Sequence, residues 1–544
     1  MCSVNPFNSF TPDAGPVGLP NTPASNQQTQ NSKTHTNMKK VFLITTVALA
    51  ALATLASCKK DQQVNGQFTA TIENAAKTTI TVGENNATVA WTAGDQVWIN
   101  GATFTAASAG QTTSLTGTEE VSAPYYAFYP SDLNPAANST SASITLPATQ
   151  TYTGSEVHAP MYAYASEGTD LYFRNLCGIL VLNLKSAGRS IRTITVTAGS
   201  DEHLYGTFAV TGVDDPALTY SSNGGNTVTL DCGTSGVDIT NPTNFYIYLP
   251  PANYTALQFT FTDVDGVVLT KAFQPNASHT TFNVERNMFN PITFDLPPVG
   301  VIYSVFTVDR YGKKVYFSRG NLQYNASTTT WQFAEHQYDI VGQGNENIGN
   351  PTYNGWIDLF NFGTGSNPTS TSTITPFVNW GINAISNGGN IANCGWQTLS
   401  IQEWMYIMAR SNTTNLGDNA RFSRVKVNGV KCFVLFPDGY NHPDGVAVPE
   451  VNPTDMSNEV EYTVEQWAAM EAAGAVLLPA AGFRNGTQYN SLDAHAEYGP
   501  IGIYWSSLSA NALRFNNNDT YKFGTQSNRA YGASVRLVWG GYGN

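Results

Sequence analysis

Positive charge is scarce in this chain: 26 Lys and Arg stand against 39 Asp and Glu, a formal charge of −13 at pH 7. No Lys/Arg-rich run lies outside the region around residue 40. A phosphate backbone would be repelled unless cations were sharply segregated, so nucleic acid is excluded as a partner. Cysteine is scarce too, at six residues, and neither a CxxC pair nor a zinc-like Cys/His spacing occurs. No metal or other cofactor is therefore expected. His336 and His495 are isolated, with no Ser or Cys motif beside them, which leaves a hydrolase triad without support. Helical periodicity is rare and only 12% of residues are charged. Thr, Asn, Ser and Gly instead fill the space between β-branched and aromatic residues, a composition that favours many short strands and turns.

What is present begins with a leader. Lys39 and Lys40 precede the apolar run VFLITTVALAALATLA, which ends in Leu55-Ala56-Ser57-Cys58. A basic start, a run too short to span comfortably as a permanent helix, and small residues before the break describe a secretory signal. The Cys directly after Leu-Ala-Ser resembles a bacterial lipobox, which implies cleavage before Cys58 and lipidation of its sulfur. Membrane attachment is then through the lipid anchor only. Residues 1–37 read as an upstream extension preceding the true start at Met38, residues 38–57 as a lipoprotein signal peptide, and residues 58–67 as a lipidated tether. Cys177, Cys232, Cys394 and Cys432 remain, two in each half, so one disulfide per half is geometrically possible. Cys177 also fits a buried free thiol within the apolar run LCGILVLNL.

From Phe68 to Leu296, strand-length runs recur between Gly, Asn, Asp and Pro, among them TVAWTAGDQVWING, LYFRNLCGILVLNL, NFYIYLPP and ALQFTFTD. This is the pattern of antiparallel sandwiches. LPPVG (296–300) opens a stiff linker, residues 297–304, because proline fixes φ and discourages either regular element. Beyond it two helices are expected. In SIQEWMYIMAR, Ser400 and Glu403 make a capping box under an apolar face of Trp404, Ile407 and Met408; in TVEQWAAMEAAG, Thr463 and Gln466 repeat the box and Gly474 ends the helix.

Two resemblances sharpen this reading. The lipobox, VAWTAGDQVWI (Val89–Ile99) and FRNLCGILVLNL (Phe173–Leu184) make residues 68–296 resemble the fimbrillins, lipoprotein pilins of Gram-negative anaerobes. The resemblance implies two transthyretin-like β-sandwich subdomains. In polymerising members it also implies proteolysis after a basic residue, Lys77 here, that frees a groove for the donor strand of another pilin. KKVYFSRGNLQY, WQFAEHQY, LSIQEWMYIMAR, VLFPDGY, YTVEQWAAMEAAGAVLLPAAGFRNG, IYWSS and GASVRLV make residues 305–544 resemble the major paralogous domain of secreted bacterial proteins, a relative of the formylglycine-generating-enzyme fold. That implies a C-type-lectin-like α+β domain with two helices. The fold class is thus mainly β plus α+β. An oxidase of the formylglycine class would need a reactive cysteine pair in a cleft, and neither Cys394 nor Cys432 has the expected surroundings, so no enzyme activity is expected. Asp438, His442 and Asp444 in LFPDGYNHPDG fit a hydrogen-bonded turn better than a calcium loop.

The stretch YWSSLSANALRFNNNDTYKFGTQSNRAYGASVRLVW (Tyr504–Trp539) has apolar ends and a middle packed with Asn, Ser, Thr and Tyr. A polar loop on a well-anchored frame reads as a recognition surface. It also resembles the retroelement-diversified variable regions of some lectin-fold surface proteins, with Trp505, Ser534, Val535 and Arg536 in the constant frame. The contact residues expected are Leu508, Ser509, Asn511, Arg514, Asn516, Asn517, Asn518, Asp519, Tyr521, Lys522, Gln526, Asn528 and Tyr531. The expected partner is a protein or glycan ligand on another cell or on a phage. The expected location is the outer membrane, lipid-anchored, at the cell surface or in a pilus. The competing reading is a structural pilin or envelope subunit with no ligand.

Overall fold

A computed structural model describes residues 64–73, 90–273, 280–453, 459–492, 496–507, 510–518, 521–525 and 531–540. The leader, Cys58, Lys77, His495, Leu508, Ser509, Asp519, Gln526 and Asn528 lie outside the described residues. The protein is mainly β-sheet, as its composition requires.

The first seven strands to be distinguished are β1 (Val64–Ile72), β2 (Gln96–Ile99), β3 (Ala102–Ala106), β4 (Thr112–Val121), β5 (Tyr125–Tyr129), β6 (Met161–Ala165) and β7 (Asp170–Asn175). They pair in the order β1-β7-β6-β5-β2-β3-β4 and close into a barrel. Alternation sends Phe68, Ala70 and Ile72 of β1 inward with Val97, Phe104, Leu115 and Phe173. Trp91 sits edge-on to Tyr129 and Phe173 at 5.3 and 5.0 Å. The sheet closes because β1 joins both edges: it runs parallel to β7 (Thr69 opposite Asp170) and antiparallel to β4 (Phe68 opposite Leu115). A closed sheet has no free edge.

A two-layer arrangement follows, built on β8 (Gly178–Lys185), β9 (Ser190–Ala198), β10 (Thr243–Leu249), β11 (Leu257–Asp263) and β12 (Phe289–Asp295). β8 lies between β10 and β12 in a three-stranded sheet, whereas β9 and β11 belong to a six-stranded one. The run ILVL is apolar on both faces because both are covered. Ile179 and Val181 join the barrel core, and Leu180, Leu182 and Leu184 pack with Ile194, Val196, Phe259 and Phe261 of the larger sheet.

The segment after β12 is a packed joint. Leu296, Pro297 and Pro298 are buried, and the Pro297 carbonyl accepts from Ser186 Oγ at 2.9 Å and from buried Arg189. The two halves approach so closely that a Cβ on Gly188 would come 2.8 Å from Gly389 Cα, and one on Gly300 would come 2.3 Å from the Asn387 carbonyl oxygen. From Asp61 onward the chain is one compact unit.

The second half contains β13 (Lys314–Phe317), α1 (Ile401–Ala409), β14 (Phe422–Val427), β15 (Val430–Leu435), α2 (Val464–Ala472), β16 (Val476–Pro479), β17 (Gly502–Trp505), β18 (Asn511–Phe515), β19 (Lys522–Thr525), β20 (Tyr531–Ala533) and β21 (Leu537–Trp539). Both expected helices form with complete capping boxes, Ser400 with Glu403 and Thr463 with Gln466. α1 buries Trp404, Ile407 and Met408. β13, from the beginning of this half, pairs with β21 from its end, Phe317 opposite Val538.

The four described cysteines are free thiols. The two cysteines of each half sit in different clusters. Cys177 packs with Phe128, Leu176 and Phe208, whereas Cys232 lies against the core of β9 and β11. Cys394 borders the Trp380 and Trp505 cluster, and Cys432 sits with Val425, Tyr440 and Trp467.

Candidate functional site

The polar strip of residues 504–539 is built on a buried frame. Trp505, wholly buried, donates Nε1–H to the Phe360 carbonyl at 2.7 Å. The Tyr504 hydroxyl donates to the Pro479 carbonyl at 2.9 Å and accepts from Asn321 at 3.1 Å. Ser534 ties β17 to the chain after β20: its N–H donates to Ile503, and its carbonyl accepts from Trp505 N. Arg536 is wholly buried and donates to Gln337 Oε1 at 2.5 Å; burial lowers its pKa to about 10. The Trp505 and Tyr504 side chains are thus spent on holding backbone in place.

Asp358, beneath this frame, is a buried carboxylate that accepts from Asn345 Nδ2 at 2.7 Å and Val341 N at 3.1 Å. Burial nevertheless pushes its pKa from the ordinary 3.8 up to about 6. The folded state then holds this proton more tightly than the unfolded chain. The resulting stability is fully present below pH 3.8 and is lost as pH rises through 6. Relative to Asp358→Asn, the wild-type protein should gain on the order of 1–3 kcal/mol between pH 7 and pH 4, read by urea denaturation at each pH. Parallel pH profiles for the two proteins would refute the assignment.

Upon the frame lies the sheet β17-β18-β19. In β18, Ala512, Leu513 and Phe515 are buried on both faces and only Asn511 and Arg514 are half-buried. Arg514 stands opposite Lys522 of β19. Among the expected contact residues, Asn518 and Lys522 are exposed, and Asn511, Arg514, Asn517, Tyr521 and Tyr531 are half-buried. Asn516 is wholly buried, which corrects its expected place on the outer surface. Its carbonyl accepts from Arg424 at 2.8 Å and its side chain accepts from Asn518 N at 2.9 Å. It shapes the turn after β18 instead.

Asn517 and Tyr521 are partly committed to structure as well. Asn517 donates its N–H to Tyr498 and accepts from Lys431 at 3.2 Å. Tyr521 meets Phe422 edge-on at 5.2 Å and lies 5.3 Å from Phe523. Tyr531 packs on Phe483 at 4.9 Å. Sequence reasoning missed the cluster beneath the turn: Glu459 pairs with Lys431 at 3.2 Å and with Arg424 at 3.7 Å, and Arg424 lies over the Phe515 ring at 5.5 Å. Arg424, Lys431 and Phe515 come from separate strands and Glu459 from a loop, so no local spacing announces them.

The remaining chemical candidates are occupied. Asp438 accepts from Thr307 N and Oγ1 at 2.9 and 2.6 Å and pairs with Arg410 at 3.0 Å. The His442 backbone N–H donates to Asn415, and its ring contacts Tyr440 and the Val446 carbonyl. Burial raises the thiols of Cys394 and Cys432, so neither is a ready thiolate.

No protein-family model matches the chain. No curated protein matches it in sequence. Solved structures similar to it include a candidate cell adhesion protein from Bacteroides uniformis, at 18% identity over 42% of this chain and 92% of that one, TM-score 0.26. A fimbrial protein from Bacteroides ovatus aligns at 10% identity over 88% of this chain and 100% of that one, TM-score 0.22. The tip fimbrial protein Mfa3 of Porphyromonas gingivalis, with a C-terminal truncation, aligns at 10% identity over 42% of this chain and 96% of that one, TM-score 0.15. TM-scores this low assign no fold family.

Proposed function

We propose that the protein is a surface-anchored adhesin or receptor in which a fimbrillin-like first half presents a C-type-lectin-like second half, whose C-terminal polar strip contacts a protein or glycan ligand. The observation that carries this reading is the division of labour within 502–539. Tyr504, Trp505, Ser534, Val535, Arg536 and Leu537 are wholly buried, while Asn518 and Lys522, between them in the chain, stand exposed. A frame so fixed lets the outward side chains vary at little cost to folding, as binding loops on rigid scaffolds do. The lipid anchor at Cys58 and the diversification of the strip belong to the same proposal.

The test uses the chain from Asp61 onward, wild type and Arg514→Ala/Lys522→Ala/Tyr531→Ala, on one protein and glycan array. The expected result is a set of ligands bound by the wild type and lost by the triple variant, with circular dichroism showing that the variant still folds. Equal binding by both proteins would overturn the placement of the contact surface.

A structural role is favoured by a different observation. β1 alone bridges β7 and β4, so its withdrawal would leave two unpaired edges ready for a donor strand. A shaft subunit should label along purified filaments, whereas an adhesin should label only filament ends or bare membrane.

A further inference from the structure

A shallow cleft of about 350 Å³ opens on the outer face of the barrel, far in sequence from the polar strip. Trp98 of β2, Tyr126 of β5, Asn100 and the turn residues Asn138 and Ser139 line it, and no Asp, Glu, Lys, Arg or His does. The turn belongs to a hairpin of Ala136–Ala137 and Ala142–Leu146, which packs on the barrel where Ile144 joins Phe128 and Tyr162.

Backbone partners settle which atoms at this cleft donate. Asn100, at a φ of 47°, accepts from Tyr126 N at 2.9 Å through Oδ1 and donates Nδ2–H to the carbonyls of Ser122 and Pro124 at 2.8 and 2.9 Å. It is therefore a fixed floor. Exposed Asn138 differs: its Oδ1 accepts from Thr140 N and Ser141 N at 2.8 and 3.0 Å. A backbone N–H only donates, so the other amide atom is Nδ2, whose hydrogens have no partner among the described residues. Trp98 is half-buried, its ring 5.9 Å from that of buried Phe128. Its indole N–H likewise has no partner among the described residues. Tyr126 is half-buried beside Tyr164 at 5.2 Å. Free N–H donors and two partly exposed aromatic rings thus border one uncharged opening. A charged ligand would find no ion there to offset its lost hydration, and a wholly apolar one would cover the donors unpaired. A neutral ligand with hydroxyl oxygens at its edge and C–H groups on its face meets both conditions, because the face of an aromatic ring is its negative side.

We infer that this cleft receives one uncharged pyranose unit of a glycan, its C–H face against Trp98 and Tyr126 and its hydroxyl oxygens accepting from Trp98 Nε1–H and Asn138 Nδ2–H. The volume stands near the low end for ligand sites, which suits a single sugar unit. This inference does not depend on the polar strip.

An array of neutral, sulfated and uronate-bearing oligosaccharides tests it, probed with the chain from Asp61 onward carrying Arg514→Ala/Lys522→Ala/Tyr531→Ala, so that the strip does not contribute. Binding confined to neutral saccharides is expected. Calorimetric titration with the neutral saccharide that binds most strongly should show affinity weakened roughly tenfold by Asn138→Asp and by more than that in Trp98→Leu, which loses both ring and donor. Asn138→Asp keeps an oxygen for Thr140 and Ser141 while removing the donor, so it should fold as its parent does, which circular dichroism checks. No neutral saccharide bound, or unchanged affinity in Asn138→Asp, would overturn the site. Tighter binding of sulfated or uronate-bearing saccharides would overturn the neutral sugar as its occupant.

Discussion

Trp505→Ala should cost the protein about 3–5 kcal/mol of folding stability, while Lys522→Ala on the adjoining sheet should change it by no more than about 0.5 kcal/mol. Trp505 is wholly buried in the cluster that includes Trp380, Ala512, Ala533 and Val535, and its ring meets Phe362 at 5.4 Å. Truncation removes a large apolar volume from a site enclosed on several sides by strands that cannot all relax inward. It also takes the indole donor from the Phe360 carbonyl, and an orphaned buried acceptor adds to the cost. Urea denaturation of both variants supplies the comparison. A loss below about 1 kcal/mol for Trp505→Ala would mean that the strip does not rest on a stiff frame, and the adhesin proposal would lose its footing.

The contrast between those two residues also shows what a linear sequence discloses. Trp505, Val535 and Leu537 were legible as frame because apolar residues flank a polar run at strand spacing, and burial bears that spacing out. Both helices were legible because a capping box is a local device: Ser400 and Glu403, like Thr463 and Gln466, are three residues apart and need nothing distant. Asn516 was misplaced for the opposite reason. Within a run of three asparagines nothing local separates the one buried over Arg424 from the one exposed at 518, because Arg424 arrives from another sheet. Barrel closure failed to show for the same cause: a parallel pairing of β1 with β7 joins residues a hundred positions apart and leaves no mark on the alternation of either strand. The contacts of the Tyr129 hydroxyl with Asp95 at 3.0 Å and His158 at 2.5 Å are likewise assembled by topology, from a turn, a strand end and a loop.

The second large effect belongs to the joint between the halves. Arg189 is wholly buried and paired with buried Asp263, and it donates to the carbonyls of Pro297 and Pro298 and to the Tyr303 hydroxyl at 3.0 Å. One guanidinium therefore holds the end of β11, the proline segment and Tyr303 where the linker enters the second half. Asp263 also caps its own turn by accepting from Asp265 N and Val267 N, so its carboxylate stays buried when the cation is removed. Arg189→Ala should then cost about 3–5 kcal/mol, most of it the penalty of an uncompensated buried charge. Arg189→Met/Asp263→Asn, which removes both charges while keeping an oxygen for the turn, should recover at least half of that loss. Calorimetry adds a readout that simple destabilisation would not move. If Arg189 couples the halves, the wild type should melt in a single endotherm that divides into two in Arg189→Ala, and in the double variant the halves should still melt apart, because the donors to Pro297, Pro298 and Tyr303 remain absent. A single endotherm in all three proteins would show that the close contacts of Gly188 with Gly389 and of Gly300 with Asn387 suffice to couple the halves without the arginine.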